Sequence, residues 1–323
     1  MTERPLKVLI SNDDGPPSRE ESPFILPFIE HLESLGWIVK VCLPSSQKSW
    51  ISKSFMIKDH IDVTYYHRET RETSYHRRDP SDFVLLSGTP ATCVNIALNY
   101  IFKDEEFDLV IGGPNFGRNT STVYTLSSGT IGAALEAVVC KQKALALSFA
   151  IFSRDFGRKE IEGSCEMAVD VIKQLHQVNQ WPENGLFNIN IPLSVEKRPV
   201  YLTQFHKMHY GRLFKPLDDK YKKTDSGKSA STIITNPTTT GTKEEESPEY
   251  AARKEAEGQE SGRLVFHFAP DYKSIVFPTD APEGTDAWAM HKRYVSVTPM
   301  VASYEIAQTT TDYGFNTVNN NKL

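Results

Sequence analysis

The stretch from Leu6 to Gly15 restricts the fold more than any other: an apolar run, Leu6-Lys7-Val8-Leu9-Ile10-Ser11, stops abruptly at Asn12-Asp13-Asp14-Gly15. A β-rich apolar run bounded by a turn cluster reads as a buried strand, and in an open α/β sheet ligands gather at the carboxyl ends of such strands. Asn-Asp-Asp-Gly is also ordinary turn chemistry, because Asx side chains cap their own backbone and glycine takes positive φ. Two adjacent carboxylates repel each other, however, so one keeps a proton or a cation lies between them.

Strand and helix patterns then alternate in the way that builds a Rossmann-like, doubly wound, mostly parallel sheet with helices on both faces. Phe24, Phe28 and Leu32 recur every four residues, and Gly36 stands where a helix-ending glycine belongs, with Pro27 weakening the first turn. Trp37 to Leu43 and Phe83 to Leu86 read as strands, and Thr89-Pro90 as an N-cap and first helical residue ahead of the stripe Val94, Leu98 and Ile101. Asp108 to Ile111 is a fourth strand, Ile131 to Cys140 a helix, Ala144 to Phe149 a fifth strand, Glu160 to Gln177 a helix and Phe187 to Ile191 a strand. These patterns predict an α/β core over residues 1–205, with an exposed insertion or hairpin near 60–82.

Residues 206–323 read as an extension: a mobile arm over 221–262, poor in apolar residues, then a returning segment, 263–323, with strand patterns at Leu264 to Phe268 and Tyr294 to Val297. The acidic run Glu244-Glu245-Glu246 fits a solvated face. A chain of 323 residues buries enough surface to need no disulfide or metal staple. The 36 basic and 41 acidic residues give a net charge of −5 with no long basic run, which argues against duplex nucleic acid as a partner. Cys42, Cys93, Cys140 and Cys165 are scattered, which fits reduced thiols and a cytoplasmic protein. Neither a signal-peptide core nor a long membrane-spanning apolar run is present, so no membrane partner is expected.

The candidate chemistry collects after the strands, in Pro44 to Trp50, Ser87-Gly88-Thr89-Pro90, and Gly112-Gly113-Pro114-Asn115-Phe116-Gly117-Arg118-Asn119. Hydroxyl, carboxamide and carboxylate oxygens are hard ligands suited to Mg²⁺, Mn²⁺ or Ca²⁺. Ser128-Gly129-Thr130 opens a helix whose N-terminus would favour a phosphate. Taken singly, each loop is explained by capping or turn formation. His206, His209, His267 and His291 read as surface or packing residues. The nucleotide-binding glycine motifs and the Gly-x-Ser-x-Gly elbow are absent from the sequence.

Ile10-Ser11-Asn12-Asp13-Asp14-Gly15, Ser87 to Val94, Asn115-Phe116-Gly117-Arg118-Asn119, Ser128 to Glu136 and Tyr294 to Pro299 resemble, in order and spacing, the SurE family of nucleotidases and phosphatases. The resemblance implies a divalent-metal phosphomonoesterase acting on nucleoside 5′- and 3′-monophosphates, a homodimer or homotetramer with exchanged carboxy-terminal arms, and one cation per subunit. Its metal ligands fall on Asp13, Asp14, Ser49 and Asn115. Asn12, Asn119, Ser128, Gly129 and Thr130, with Ser49, match positions near the phosphate, and Asp13, Asp14, Asn12 and Asn119 the catalytic ones.

Four departures stand against the family pattern: Gly112-Gly113 for Ser-Gly, Ser121-Thr122 where an Asp is common, one further residue between Asn119 and Ser128, and Thr92 for an Asp. They leave substrate preference and pH optimum open and admit a broad acid phosphatase. Two further alternatives stay open: Asp13 or Asp14 as a nucleophile forming an aspartyl phosphate, and a nucleotide- or phosphate-binding sensor or scaffold without turnover.

Overall fold

The computed structural model describes residues 4–153, 155–216, 265–270 and 279–304. In chain order these form β1 (Lys7–Ser11), α1 (Ile25–Ser34), β2 (Ile38–Pro44), β3 (Val63–His67), β4 (Glu72–Ser74), β5 (Phe83–Leu86) and α2 (Pro90–Ile96), which continues into a π-helical turn, Ala97–Ile101. They continue with β6 (Leu109–Phe116), α3 (Ser121–Ser127), α4 (Gly129–Val139), β7 (Ala144–Ala150), α5 (Arg158–Val178), β8 (Gly185–Pro192) and β9 (Val200–Leu202). The remaining elements are β10 (Phe214–Pro216), β11 (Phe266–Phe268), α6 (Asp286–His291) and β12 (Val295–Val301).

The main sheet runs β4-β3-β5-β2-β1-β6-β7-β8-β12-β9, while β10 and β11 pair antiparallel on their own. The central block from β5 to β8 is parallel, as βαβ crossovers require. Strand β1 lies inside that block, so its two faces bury opposite residues: Val8 and Ile10 join the core with α1 and α5, and Leu9 joins the core with α2 and α4. This is why the run reads as continuously apolar. The strand order reverses direction about β1, and the site is assembled at the carboxyl ends there.

Local signals account for the helices. In α1 the buried residues are Ile25, Phe28, Ile29 and Leu32, and Pro27 falls third in the helix, where its missing N–H has no intrahelical partner to lose. Gly36 takes φ +80° and donates its N–H to Glu33 O at 2.9 Å, ending the helix. Thr89 caps α2, its Oγ1 accepting Thr92 N–H at 3.1 Å. Each fully buried aliphatic or aromatic side chain contributes about 1.5–3 kcal/mol relative to exposure.

Three expectations are corrected. The residues from Gly112 to Asn119 are not one loop: β6 continues to Phe116, with a register shift between Gly112 and Asn115, because Asn115 and Phe116 still pair with Ser148 and Phe149 of β7. The interval before Ser128, where this chain has one residue more than the family pattern, folds as a helix, α3. The 60–82 insertion does contain the expected hairpin, but it joins the main sheet, β3 pairing antiparallel with β5. The returning segment supplies β12, antiparallel to β8 and parallel to β9. The predicted arm over 221–262 lies outside the described residues.

Candidate active site

The turn after β1 is built by Asn12. Its Nδ2 donates to Gly15 O and to Ser22 Oγ, both at 3.1 Å, and its Oδ1 accepts Gly15 N–H at 3.0 Å. Gly15 holds φ +85°, which a side chain would strain, and an added Cβ would lie 3.1 Å from the Ser46 carbonyl carbon. Both polar atoms of the Asn12 side chain, which was expected near the phosphate, are engaged within the turn that leads into the next two residues.

Those residues, Asp13 and Asp14, are both buried. Thr130 donates its hydroxyl to Asp13 Oδ1, and the backbone N–H groups of Thr130 and Gly129 lie against the same carboxylate. The amino end of α4 thus already faces an anion, the Asp13 side chain. The amides of Gly129 and Thr130, expected beside a phosphate, lie against this carboxylate. Gly129 is required for the approach, since a Cβ there would come within 2.7 Å of Asp13 Cβ. Asp14 Oδ2 accepts Phe116 N–H at 2.6 Å, tying the turn to the end of β6.

Burial pushes the Asp13 carboxyl above its ordinary range, against the opposing effect of the Thr130 hydroxyl and the surrounding amides. Asp14 is raised well above that range by burial and then by the charge of Asp13, with Phe116 N–H opposing. Two carboxylates packed this way hold a proton tightly unless a cation replaces it.

A cleft of about 240 Å³ opens beside Asp13 and is also lined by Ser49, Trp50, Asn115, Arg118, Asn119 and Ser128. It brings together, from separate loops, five of the residues singled out in the sequence: Asp13, Ser49, Asn115, Asn119 and Ser128. Asp14, Asn12, Gly129 and Thr130 stand behind it and are not part of its lining. Asn115 Nδ2 donates to Gly117 O at 2.9 Å, and its Oδ1 accepts the Thr130 hydroxyl at 3.3 Å. Ser128 Oγ caps α4 by accepting Ile131 N–H at 3.1 Å.

The carboxylates of Asp13 and Asp14, the Ser49 hydroxyl and the Asn115 carboxamide would offer a hard divalent cation oxygen donors with two negative charges. Among the described residues no group of three or more His, Cys, Asp or Glu side chains could hold a metal. A set with two acids and two neutral oxygens does not depend on such a group. A larger cavity of about 350 Å³, lined in part by Phe152, Glu160, Arg198 and Arg293, contains none of the sequence-predicted site residues.

Several supporting residues were missed by sequence reasoning. Asn119 O accepts from Asn188 Nδ2 at 2.7 Å and Asn190 Nδ2 at 3.2 Å, its N–H donates to Asn190 Oδ1 at 2.7 Å, and its Nδ2 donates to Ser148 Oγ at 3.0 Å. The alternation Asn188-x-Asn190 in a buried strand was the available signal, since period two puts both on one face. Arg118, whose guanidinium lies 5.0 Å over the Tyr124 ring, was read only as part of a loop. Burial lowers its pKa from the ordinary arginine value, with Tyr124 and Asp286 opposing, and it remains the cation of the cleft. Asp286, buried in α6, bonds the backbone of Ser121 and His206, and nothing in its local sequence beyond an N-cap pattern marks it.

The family model described as survival protein SurE matches residues 8–212. A Saccharomyces cerevisiae protein named probable tubulin–tyrosine ligase PBY1 is 31% identical over 93% of this chain and 41% of its own length, so the chain spans less than half of that relative. The 5′-nucleotidase SurE of Actinobacillus pleuropneumoniae is 28% identical over 93% of this chain and 97% of its own. The crystal structure of SurE protein from Aquifex aeolicus superposes with a TM-score of 0.61 at 24% identity, covering 95% of this chain and 96% of that one, and so shares the fold. With the family match running from β1 through the whole parallel block and the cleft, the chain belongs to the SurE family.

Proposed function

We propose that this protein is a phosphoric monoester hydrolase acting on nucleoside 5′- and 3′-monophosphates with one divalent cation, Mg²⁺ or Mn²⁺, per subunit. The observation that carries the reading is the pair of buried carboxylates, Asp13 and Asp14, at a strand end where Ser49, Asn115 and Arg118 share one cleft. Relatives that align along nearly their whole length are named 5′-nucleotidase, which supports the same reading. The ligase name belongs to a much longer protein, matched over 41% of its length.

When bound, the cation supplies Lewis acidity toward a phosphoryl oxygen. Asp13, Asp14, Ser49 and Asn115 would hold it. Thr130 and the amides of α4 orient Asp13, Phe116 N–H orients Asp14, and the Arg118 guanidinium and Asn119 favour negative charge on the transferring group. The aspartyl route remains the competitor, with Asp13 as the nucleophile because it lines the cleft and Asp14 does not.

A homodimer or homotetramer and a cytoplasmic location belong to the same proposal, with residues 206–323 as an extension that lends β12 to the sheet of the 1–205 core. Four free cysteines, three of them buried, support the location.

The test is phosphate release from p-nitrophenyl phosphate and a panel of nucleotides, with and without EDTA. Release that EDTA abolishes and Mg²⁺ or Mn²⁺ restores is expected. Tight nucleotide binding without release would favour a sensor on the same fold.

A further inference from the structure

Trp50 follows Ser49 directly and lines the same cleft as Asp13 and Asn115. Its backbone is anchored on both sides: Lys48 N–H donates to Asp13 O at 2.6 Å, and Ser52 N–H donates to Ser127 O, at the end of α3, at 2.9 Å. Between these anchors Trp50 holds φ +61° and Ser52 φ +55°. For a bulky residue that is a strained left-handed conformation, and such strain persists where the surroundings over-determine it.

The indole is also fixed by its neighbours. Tyr124 of α3, Tyr210 and Phe268 of β11 meet it edge-on, with centroids 6.1, 6.4 and 5.2 Å away and interplanar angles of 64°, 75° and 62°. Trp50 is nonetheless half-exposed, and Tyr124 lines the cleft with Arg118 over its ring. At about 240 Å³ the cleft is smaller than the roughly 300 Å³ at the lower end of pockets that enclose a drug-sized ligand. A nucleotide with its phosphate beside Asp13 would bring its base toward Trp50 and Tyr124, which line the same cleft.

We infer that Trp50, with Tyr124, is the stacking wall for the base of the ester, making Trp50 the residue that favours nucleotides over sugar and alkyl phosphates. This rests on the phosphomonoesterase reading and assigns the base-recognition element that reading lacks. Stacking is tolerant of base identity, so purine and pyrimidine esters are both accepted.

The test compares kcat/KM for adenosine 5′-monophosphate with that for ribose 5-phosphate in the wild type, Trp50→Ala and Trp50→Phe. The ratio within one variant cancels partial loss of fold. Trp50→Ala is expected to lower the nucleotide-to-sugar ratio roughly tenfold or more, mainly through KM, and Trp50→Phe to restore most of it. An unchanged ratio in Trp50→Ala overturns the inference. If neither ester is turned over by the wild type, the hydrolase reading fails instead. The same comparison is then made as Kd by calorimetry, where failure of wild type to bind adenosine 5′-monophosphate more tightly than ribose 5-phosphate overturns the stacking wall.

Discussion

The carboxylate of Asp286 accepts the backbone N–H of Ser121 at 2.7 Å across 165 residues of sequence. Ser121 begins α3 with φ +62°, and the same carboxylate takes His206 N–H at 2.9 Å and Ala287 N–H at 2.7 Å. One buried side chain therefore holds the start of α3, the strap containing His206 and its own helix in register beside Arg118. Asp286→Ala would leave three donors, two of them buried, without this acceptor, and a loss of about 2–4 kcal/mol in urea unfolding is expected. Asp286→Asn, which keeps one acceptor oxygen, should lose less.

Asp13→Asn preserves the volume of the side chain while removing its charge. A fall in metal-dependent phosphate release of at least roughly 100-fold is expected, together with loss of the thermal stabilisation that Mg²⁺ or Mn²⁺ gives the wild type. Retention of full metal-dependent activity would remove Asp13 from the mechanism. Rapid quenching with ³²P-labelled substrate separates the two routes: labelled wild-type protein, absent from Asp13→Asn, would establish the aspartyl ester.

In EDTA the raised pKa of Asp14 has a definite sign. The folded protein binds the Asp14 proton more tightly than the unfolded chain, so this contribution to stability is full below the ordinary carboxylate range and is lost as pH rises through the raised value. Asp14→Asn should therefore melt higher than wild type at pH 7 in EDTA, with the advantage disappearing near pH 4, a value close to the ordinary aspartate pKa of about 3.9. Adding the cation should reverse the order at pH 7.

Asp82 has the opposite sign. Burial raises its pKa, but the N–H groups of Asp79 and Arg78 and the His67 ring outweigh burial and bring it below the ordinary value. Its Oδ2 accepts Arg78 N–H at 2.8 Å and Asp79 N–H at 2.9 Å and lies 2.9 Å from His67 Nδ1, while His67 Nε2 lies 2.8 Å from Ser74 Oγ. The network fastens the β3-β4 hairpin. Asp82→Ala is expected to cost about 1–3 kcal/mol at pH 7, through the donors left behind. Acid should narrow that gap as pH falls through the lowered folded value, and kcat should change little.

Much of this architecture was legible because its signals are local. The run into Asn12-Asp13-Asp14-Gly15 reads as a strand and turn because both faces of β1 are covered, and Phe24, Phe28 and Leu32 read as a helix because they share one face. The helix α3 was hidden because Ser121 to Ser127 has no charged first turn, and its start depends on distant Asp286. Asp13, Ser49 and Asn115, singled out through the family resemblance, line one cleft. The turn bonds of Asn12 were not legible, because a carboxamide in a turn and one facing a ligand look alike in sequence. Trp50 and Tyr124 lie 74 positions apart and meet only when α3 docks over the 48–52 loop.

The close glycine contacts around α4 carry a mechanical consequence. A methyl group at Gly112 would fall 2.3 Å from Thr130 O, and one at Gly132 would fall 2.4 Å from Ser52 O, as at Gly129 beside Asp13. With no side-chain cushion on these sides, the helix start, the end of β6 and the indole-bearing loop are geared together. Opening to exchange ligand must then come from the outer edge, where Tyr210 and Phe268 sit, while the floor stays still.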